Sequence, residues 1–135
     1  MNRKLVLVID DERAERELYG GLLWYNGFDV AYAETGEDGL RMAVERHPDL
    51  VLLDMMLPGI DGLGVCETLK SDGRTNSVPV LALSGRREGE LGPAARRLGC
   101  ETYLEKPISP LAVLHEVERL IGRAPPPGDF DDRAA

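Results

Sequence analysis

The sequence predicts an α/β fold, a doubly wound parallel sheet of five strands with helices on both faces. Three observations carry this. Short runs rich in Val and Leu recur without polar alternation, as in strands buried on both faces. Segments with helical spacing of apolar residues separate them, which gives five βα units in order. Four of the runs end in a residue that handles phosphate or metal, so parallel pairing would collect those residues on one sheet edge.

The first strand is Leu5 to Ile9 (LVLVI), running into Asp10 and Asp11. Ala14, Leu18, Leu22 and Tyr25 follow at helical spacing, and Asn26-Gly27 stops that helix. Asp29 to Ala33 is a short second strand. Gly36 to Arg46 is the second helix, with Leu40, Ala43 and Val44 inward and His47-Pro48 closing it. The third strand, Asp49 to Leu53, ends at Asp54. The loop MMLPGIDG is rich in turn residues, and a third helix runs from it to about Ser71. The fourth strand, Val78 to Leu83, leads to Ser84. Gly89, Gly92 and Pro93 break the next pattern, so the fourth helix is predicted to be short or to start late at Pro93. Thr102 to Leu104 is the fifth strand and leads through Glu105 to Lys106-Pro107. Pro110 to Ile121 is the last helix, with Leu114, Val117 and Ile121 inward. Right-handed crossovers make such a chain a doubly wound sheet. The flavodoxin-like strand order 2-1-3-4-5 places the first, third, fourth and fifth strands side by side.

A chain of 135 residues with 43% hydrophobic and 30% charged residues has the composition of an ordinary globular protein with one core. Its net charge of -8 argues against direct nucleic-acid contact, which needs clustered Lys and Arg. Cys66 and Cys100 form no metal pattern and read as reduced thiols. MNRK is not followed by a signal-peptide apolar stretch, and no run approaches the roughly 20 apolar residues of a membrane helix. The expected compartment is the cytoplasm. The expected domain spans residues 1–121. Residues 122–135, with Pro125-Pro126-Pro127, are expected to be a disordered tail or linker.

Asp10, Asp11 and Asp54 would meet at adjacent strand ends. Two like charges about 4 Å apart repel by roughly 4 kcal/mol at an effective dielectric of 20, so such a group needs a cation or raised pKa values. Oxygen ligands without His or Cys suit Mg²⁺. A carboxylate beside a cation, an ammonium (Lys106) and a hydroxyl (Ser84) is an arrangement that accepts a phosphoryl group, with Asp54 as nucleophile. Each residue taken alone has a plainer role. Asp10 and Asp11 suit a helix start, Lys106 an exposed strand end, Ser84 a helix cap and Tyr103 the core.

Taken together, Asp10-Asp11, Asp54 within LVLLDMMLPGIDG, Ser84 after VPVLAL, and Lys106-Pro107 preceded by Tyr103 resemble the receiver domain of two-component response regulators over residues 4 to about 121. The resemblance implies a phosphorylation-activated switch. Asp54 would take a phosphoryl group from a phosphohistidine on a sensor histidine kinase or phosphotransfer protein. Asp11, Asp54 and the backbone carbonyl of Met56 would hold Mg²⁺, with Asp10 helping through water. Lys106 and Ser84 would contact phosphoryl oxygens, and Gly85 would offer a backbone N–H and room. On activation Ser84 would move toward the phosphate and Tyr103 would turn inward. The fourth helix, fifth strand and fifth helix would signal to a downstream protein partner or effector domain, and the Lys106–Pro107 bond would be cis.

The sequence departs from one branch of that family. Regulators with a winged-helix DNA-binding domain carry a charged dimer pattern across this face. Here the fourth helix has Gly92-Pro93-Ala94 and the fifth offers Leu111, Ala112 and Glu116, while Arg86, Arg87, Arg96 and Arg97 form two basic pairs nearby. Three rivals are weaker. An unphosphorylated module of this fold would lack a site residue, and none is missing. An aspartyl phosphatase of the haloacid-dehalogenase type needs a second Asp where Met56 stands. A dinucleotide-binding domain needs a Gly-rich turn where Asp10-Asp11-Glu12 stands.

Overall fold

A computed structural model describes residues 3–86 and 88–123. Arg87 and most of the expected tail, residues 124–135, lie outside the described residues. The elements alternate as β1 (Leu5–Ile9), α1 (Arg13–Tyr25), β2 (Asp29–Ala33), α2 (Gly36–Arg46), β3 (Leu50–Asp54), α3 (Gly62–Ser71), β4 (Val80–Ser84), α4 (Glu88–Arg97), β5 (Thr102–Glu105) and α5 (Pro110–Ile121). All pairings are parallel, in the order β2-β1-β3-β4-β5. The predicted fold class and strand order are those observed.

Strand alternation divides the core in two. Leu7, Ile9, Val51, Leu53, Val80 and Ala82 face α2, α3 and α4, where they meet Ala43, Val65, Cys66, Leu69 and Ala95. Val6, Val8, Leu50, Leu52, Leu81 and Leu83 face α1 and α5, where they meet Tyr19, Leu23, Val113 and Val117. Both faces of β3 are covered, so all five of its residues are buried. This is why the run LVLL shows no polar alternation.

Local chemistry sets the boundaries. β4 starts at Val80, two residues later than the apolar run suggested. Pro79 has no N–H for the ladder, and the Val78 N–H donates to the Thr75 carbonyl at 3.1 Å. β3 starts at Leu50, and Asp49 at its edge donates its N–H to the Leu5 carbonyl and accepts from the Leu5 N–H through its side chain, both at 2.7 Å. Thr35, Asp61 and Ser109 cap α2, α3 and α5 with their side-chain oxygens. His47 closes α2 in the left-handed region at φ 49°. Gly62 opens α3 so close to Met55 that a Cβ would lie 2.4 Å from the Met55 Cα. That contact fixes the loop after Asp54.

Two helices correct the sequence reading. On α1 the buried residues are Arg16, Tyr19, Gly20 and Leu23, while Leu18 is 53% and Tyr25 69% exposed. The Ala14–Leu18–Leu22–Tyr25 series therefore does not mark the buried face. Arg16 can turn inward because its guanidinium donates to the Asp10 carbonyl at 2.8 Å and pairs with Glu34 at 3.2 Å. α4 begins at Glu88, so Pro93 lies inside the helix and does not start it. Pro93 deprives the Gly89 carbonyl of its helical partner. Both residues are exposed, so water can replace that bond, while Leu91, Gly92, Ala95 and Leu98 pack inward.

Candidate functional site

The parallel register delivers four side chains to the C-terminal edge of the sheet. Ile9 lies beside Leu53, Asp54 beside Leu83, and Ser84 beside Glu105. Asp10 therefore follows β1 next to the end of β3, and Lys106 follows β5 next to the end of β4. Asp10 is 2% and Asp54 6% exposed, and Ser84 is fully buried. Asp54 Oδ1 accepts from the Met56 N–H at 2.9 Å, and Oδ2 lies 3.4 Å from Lys106 Nζ. Lys106 is anchored by its backbone N–H, which donates to the Ser84 carbonyl at 2.7 Å. The Lys106–Pro107 bond is cis.

Sequence reasoning missed one carboxylate. Glu15, in the first turn of α1, accepts from Lys106 Nζ at 2.6 Å. Its ligand oxygen and those of Asp10 and Asp54 all lie within 4.8 Å of one another. The usable signal was its position on the N-terminal turn of α1, which starts at this edge of the sheet. Asp11 is exposed and lies outside that close group.

Crowding of acids shows in their protonation. Burial pushes the Asp10 carboxyl up to about 8, aided by its hydrogen bond with Glu15 and the charge of Asp54. Burial also acts to raise Glu15, but hydrogen bonds with Asp10 and Lys106 hold it below the ordinary carboxylate range. Burial would lower Lys106, yet Glu15, Asp54 and Asp10 keep it above the usual lysine value. One ammonium does not neutralise three clustered carboxyls. The crowding favours the neutral form of the Asp10 carboxyl, and a hard-oxygen cation would relieve the same repulsion. The donor set therefore fits Mg²⁺.

The expected switch residues lie between this edge and α4. Ser84 Oγ accepts from the Arg86 N–H at 3.0 Å, and the Tyr103 hydroxyl donates to the Arg86 carbonyl at 2.9 Å. The Tyr103 ring is buried and already turned inward. A Cβ on Gly85 would meet nothing within 4 Å, so the space beside it is open. A cleft of about 210 Å³, lined by Met56, Leu57, Asp61, Leu63, Arg86 and Leu91, joins the loop after Asp54 to α4.

The profile of the response regulator receiver domain matches residues 6–118. The chain belongs to the response regulator receiver family. Response regulator MprA of Mycolicibacterium vanbaalenii is 35% identical over 130 residues, which are 96% of this chain and 55% of MprA. The chain thus spans about half the length of the curated relatives it matches. The chemotaxis protein CheY4 of Vibrio cholerae shares the fold at a TM-score of 0.83 and 23% identity, over 88% of this chain and 99% of CheY4. NtrX of Brucella abortus matches at a TM-score of 0.81 and 30% identity, over 89% of this chain and 27% of NtrX. This receiver is a signalling domain of the two-component type. Among its described residues, no helix is long and apolar enough to cross a membrane.

Proposed function

We propose that this receiver accepts a phosphoryl group on Asp54 from a phosphohistidine of a sensor histidine kinase or phosphotransfer protein. The observation that carries the proposal is the setting of Asp54: buried, fixed by the Met56 N–H, and 3.4 Å from the Lys106 ammonium. Asp54 Oδ2 attacks phosphorus, the P–N bond to the donor imidazole breaks, and an acyl phosphate forms. Asp54 and Asp11, with the Met56 carbonyl and Asp10, would hold Mg²⁺. The ion neutralises phosphoryl oxygens when bound. Lys106 leaves Glu15 to contact one of those oxygens. Ser84 leaves the Arg86 N–H to donate to another, and the Gly85 N–H serves a third. Release of Arg86 loosens the segment whose carbonyl holds Tyr103, which passes the change to α4, β5 and α5.

The chain acts as a phosphoacceptor switch. Its own catalysis is limited to self-phosphorylation and slow hydrolysis of the acyl phosphate. Residues 1–121 form the switching unit and 122–135 a linker or tail. A partner protein or effector domain receives the signal in the cytoplasm. The net charge of -8 on the whole chain disfavours direct DNA contact. Labelling with a small phosphodonor and Mg²⁺ tests the central step. One hydroxylamine-labile phosphoryl group is expected on the parent and none on Asp54→Asn, whose amide is a poor nucleophile. Equal labelling of both proteins would reject Asp54.

A further inference from the structure

Cys66 and Cys100 are the chain's two cysteines, and phosphoryl transfer uses neither. Cys66 lies on α3, and Cys100 lies in the turn that leads from α4 into β5. Both are buried, and their Sγ atoms are 2.8 Å apart across 34 residues of sequence. Two carbon atoms reach their best contact only at about 3.5–4.0 Å, and sulfur is larger. Simple core filling does not require two sulfurs this close.

The elements around the pair hold it in place. On α3, Cys66 is flanked by the buried Val65 and Leu69. The Cys100 N–H donates to the Ala95 carbonyl, and the Glu101 N–H to the Val80 carbonyl, both at 3.0 Å. Gly99 enters the turn at φ 103°. Lys70 of α3 then donates to the Val78 carbonyl at 2.7 Å and pairs with Glu101 at 3.1 Å. A disulfide needs S–S of about 2.05 Å. From 2.8 Å the sulfurs must close by about 0.8 Å, a shift that small changes in side-chain torsion supply.

We propose that Cys66 and Cys100 are a redox modification site, closing reversibly into an intramolecular disulfide that fastens α3 to the turn entering β5. A peroxide is the matching oxidant. The Cys66 thiolate attacks one peroxide oxygen, the O–O bond breaks and hydroxide leaves, so Cys66 becomes a sulfenic acid. The Cys100 sulfur attacks the Cys66 sulfur, the S–S bond forms and the sulfenic oxygen departs as hydroxide. The two thiol protons convert both hydroxides to water. A dithiol reverses the bond by exchange. The hydrogen bond with Cys100 holds the Cys66 thiol below the ordinary range, while the same bond and burial push Cys100 up. The linked turn lies between α4 and the strand that carries Tyr103, so the oxidised form resists movement of the proposed output face.

The test treats the whole reduced chain with hydrogen peroxide, then denatures and alkylates it. The expected product is a monomer lighter by two hydrogen atoms, with no free thiol and with a peptide joining residues 66 and 100. Dithiothreitol restores both thiols. Two free thiols after peroxide, a sulfinic acid on one cysteine, or a cross-linked dimer would overturn the proposal. Hydrogen exchange in the α4–β5 turn should slow several-fold on oxidation, and unchanged exchange would reject the fastening. Asp54→Asn should oxidise as readily as the parent. Failure to oxidise with normal phosphoryl labelling would therefore reject the disulfide alone. Failure to label with normal oxidation would reject the Asp54 reading alone.

Discussion

Lys106 lies between two carboxylates, 2.6 Å from Glu15 and 3.4 Å from Asp54. In the proposed reaction it must leave the nearer one. The Glu15 pair is partly exposed, so its net worth is up to about 1 kcal/mol after solvent screening, which at tenfold per 1.4 kcal/mol is about fivefold in rate. Glu15→Gln should therefore accept phosphoryl groups up to about fivefold faster at saturating Mg²⁺. A slower variant would show that Glu15 aims the lysine and does not restrain it. Asp10 makes a separate prediction. Its ordinary value of 3.8 rises to about 8 in the fold, chiefly through burial. Between those values the folded protein binds more protons than the unfolded chain. The contribution of this group to stability is therefore greatest at low pH and falls as pH rises through that window. Asp10→Asn removes the buried charge, so without Mg²⁺ it should stabilise the protein by about 1–3 kcal/mol near pH 8 and much less near pH 4. A gain that does not vary with pH in urea titrations would contradict this account.

At the scale of elements, α4 is where sequence and packing disagree most. Pro in a helix interior costs about 3 kcal/mol relative to Ala, and loss of its rigidity in the unfolded chain returns about 0.4–1 kcal/mol of that. Pro93→Ala should therefore stabilise α4 and slow its hydrogen exchange, and it should blunt the response to beryllofluoride. Equal exchange in the two proteins would mean that packing of Leu91, Ala95 and Leu98 alone sets the order of this helix. The parent, given beryllofluoride and Mg²⁺, should change exchange first in residues 85–98, because Ser84 and Arg86 stand at the head of this segment. Changes confined to α1 and α2 would contradict that route. The strands were legible in the sequence because burial on both faces leaves no choice but continuous Val and Leu. The edge of the sheet was legible because strand ends fix where Asp10, Asp54, Ser84 and Lys106 go. Helix faces were less so. The apolar Leu18, Trp24 and Tyr25 are exposed, and Arg16 is buried because it has polar partners there, which a count of apolar residues does not register. Glu15 escaped for a related reason: its role depends on a lysine 91 residues away.

For the whole molecule, the two hydrophobic layers stabilise the fold while the sheet edge opposes it. Val6 to Ile9, Leu50 to Leu53 and Val80 to Leu83 are all buried, and two of the clustered carboxyls, Asp10 and Asp54, sit at the ends of β1 and β3. Relief of that repulsion should therefore be felt as global stability, since β1 and β3 are central strands whose ends cannot open without the core. A cation that binds only the folded chain stabilises it by about 2.7 kcal/mol at a concentration 100 times its dissociation constant. Mg²⁺ should thus raise the urea midpoint of the parent at neutral pH without changing the slope of the transition. Asp54→Asn should lose most of that gain, because it removes a ligand charge, but should be the more stable protein when Mg²⁺ is absent. Stability that rises and falls together in the two proteins as Mg²⁺ is added would place the ion away from Asp54, and the proposed phosphoacceptor site would then lack the cation its carboxylates imply.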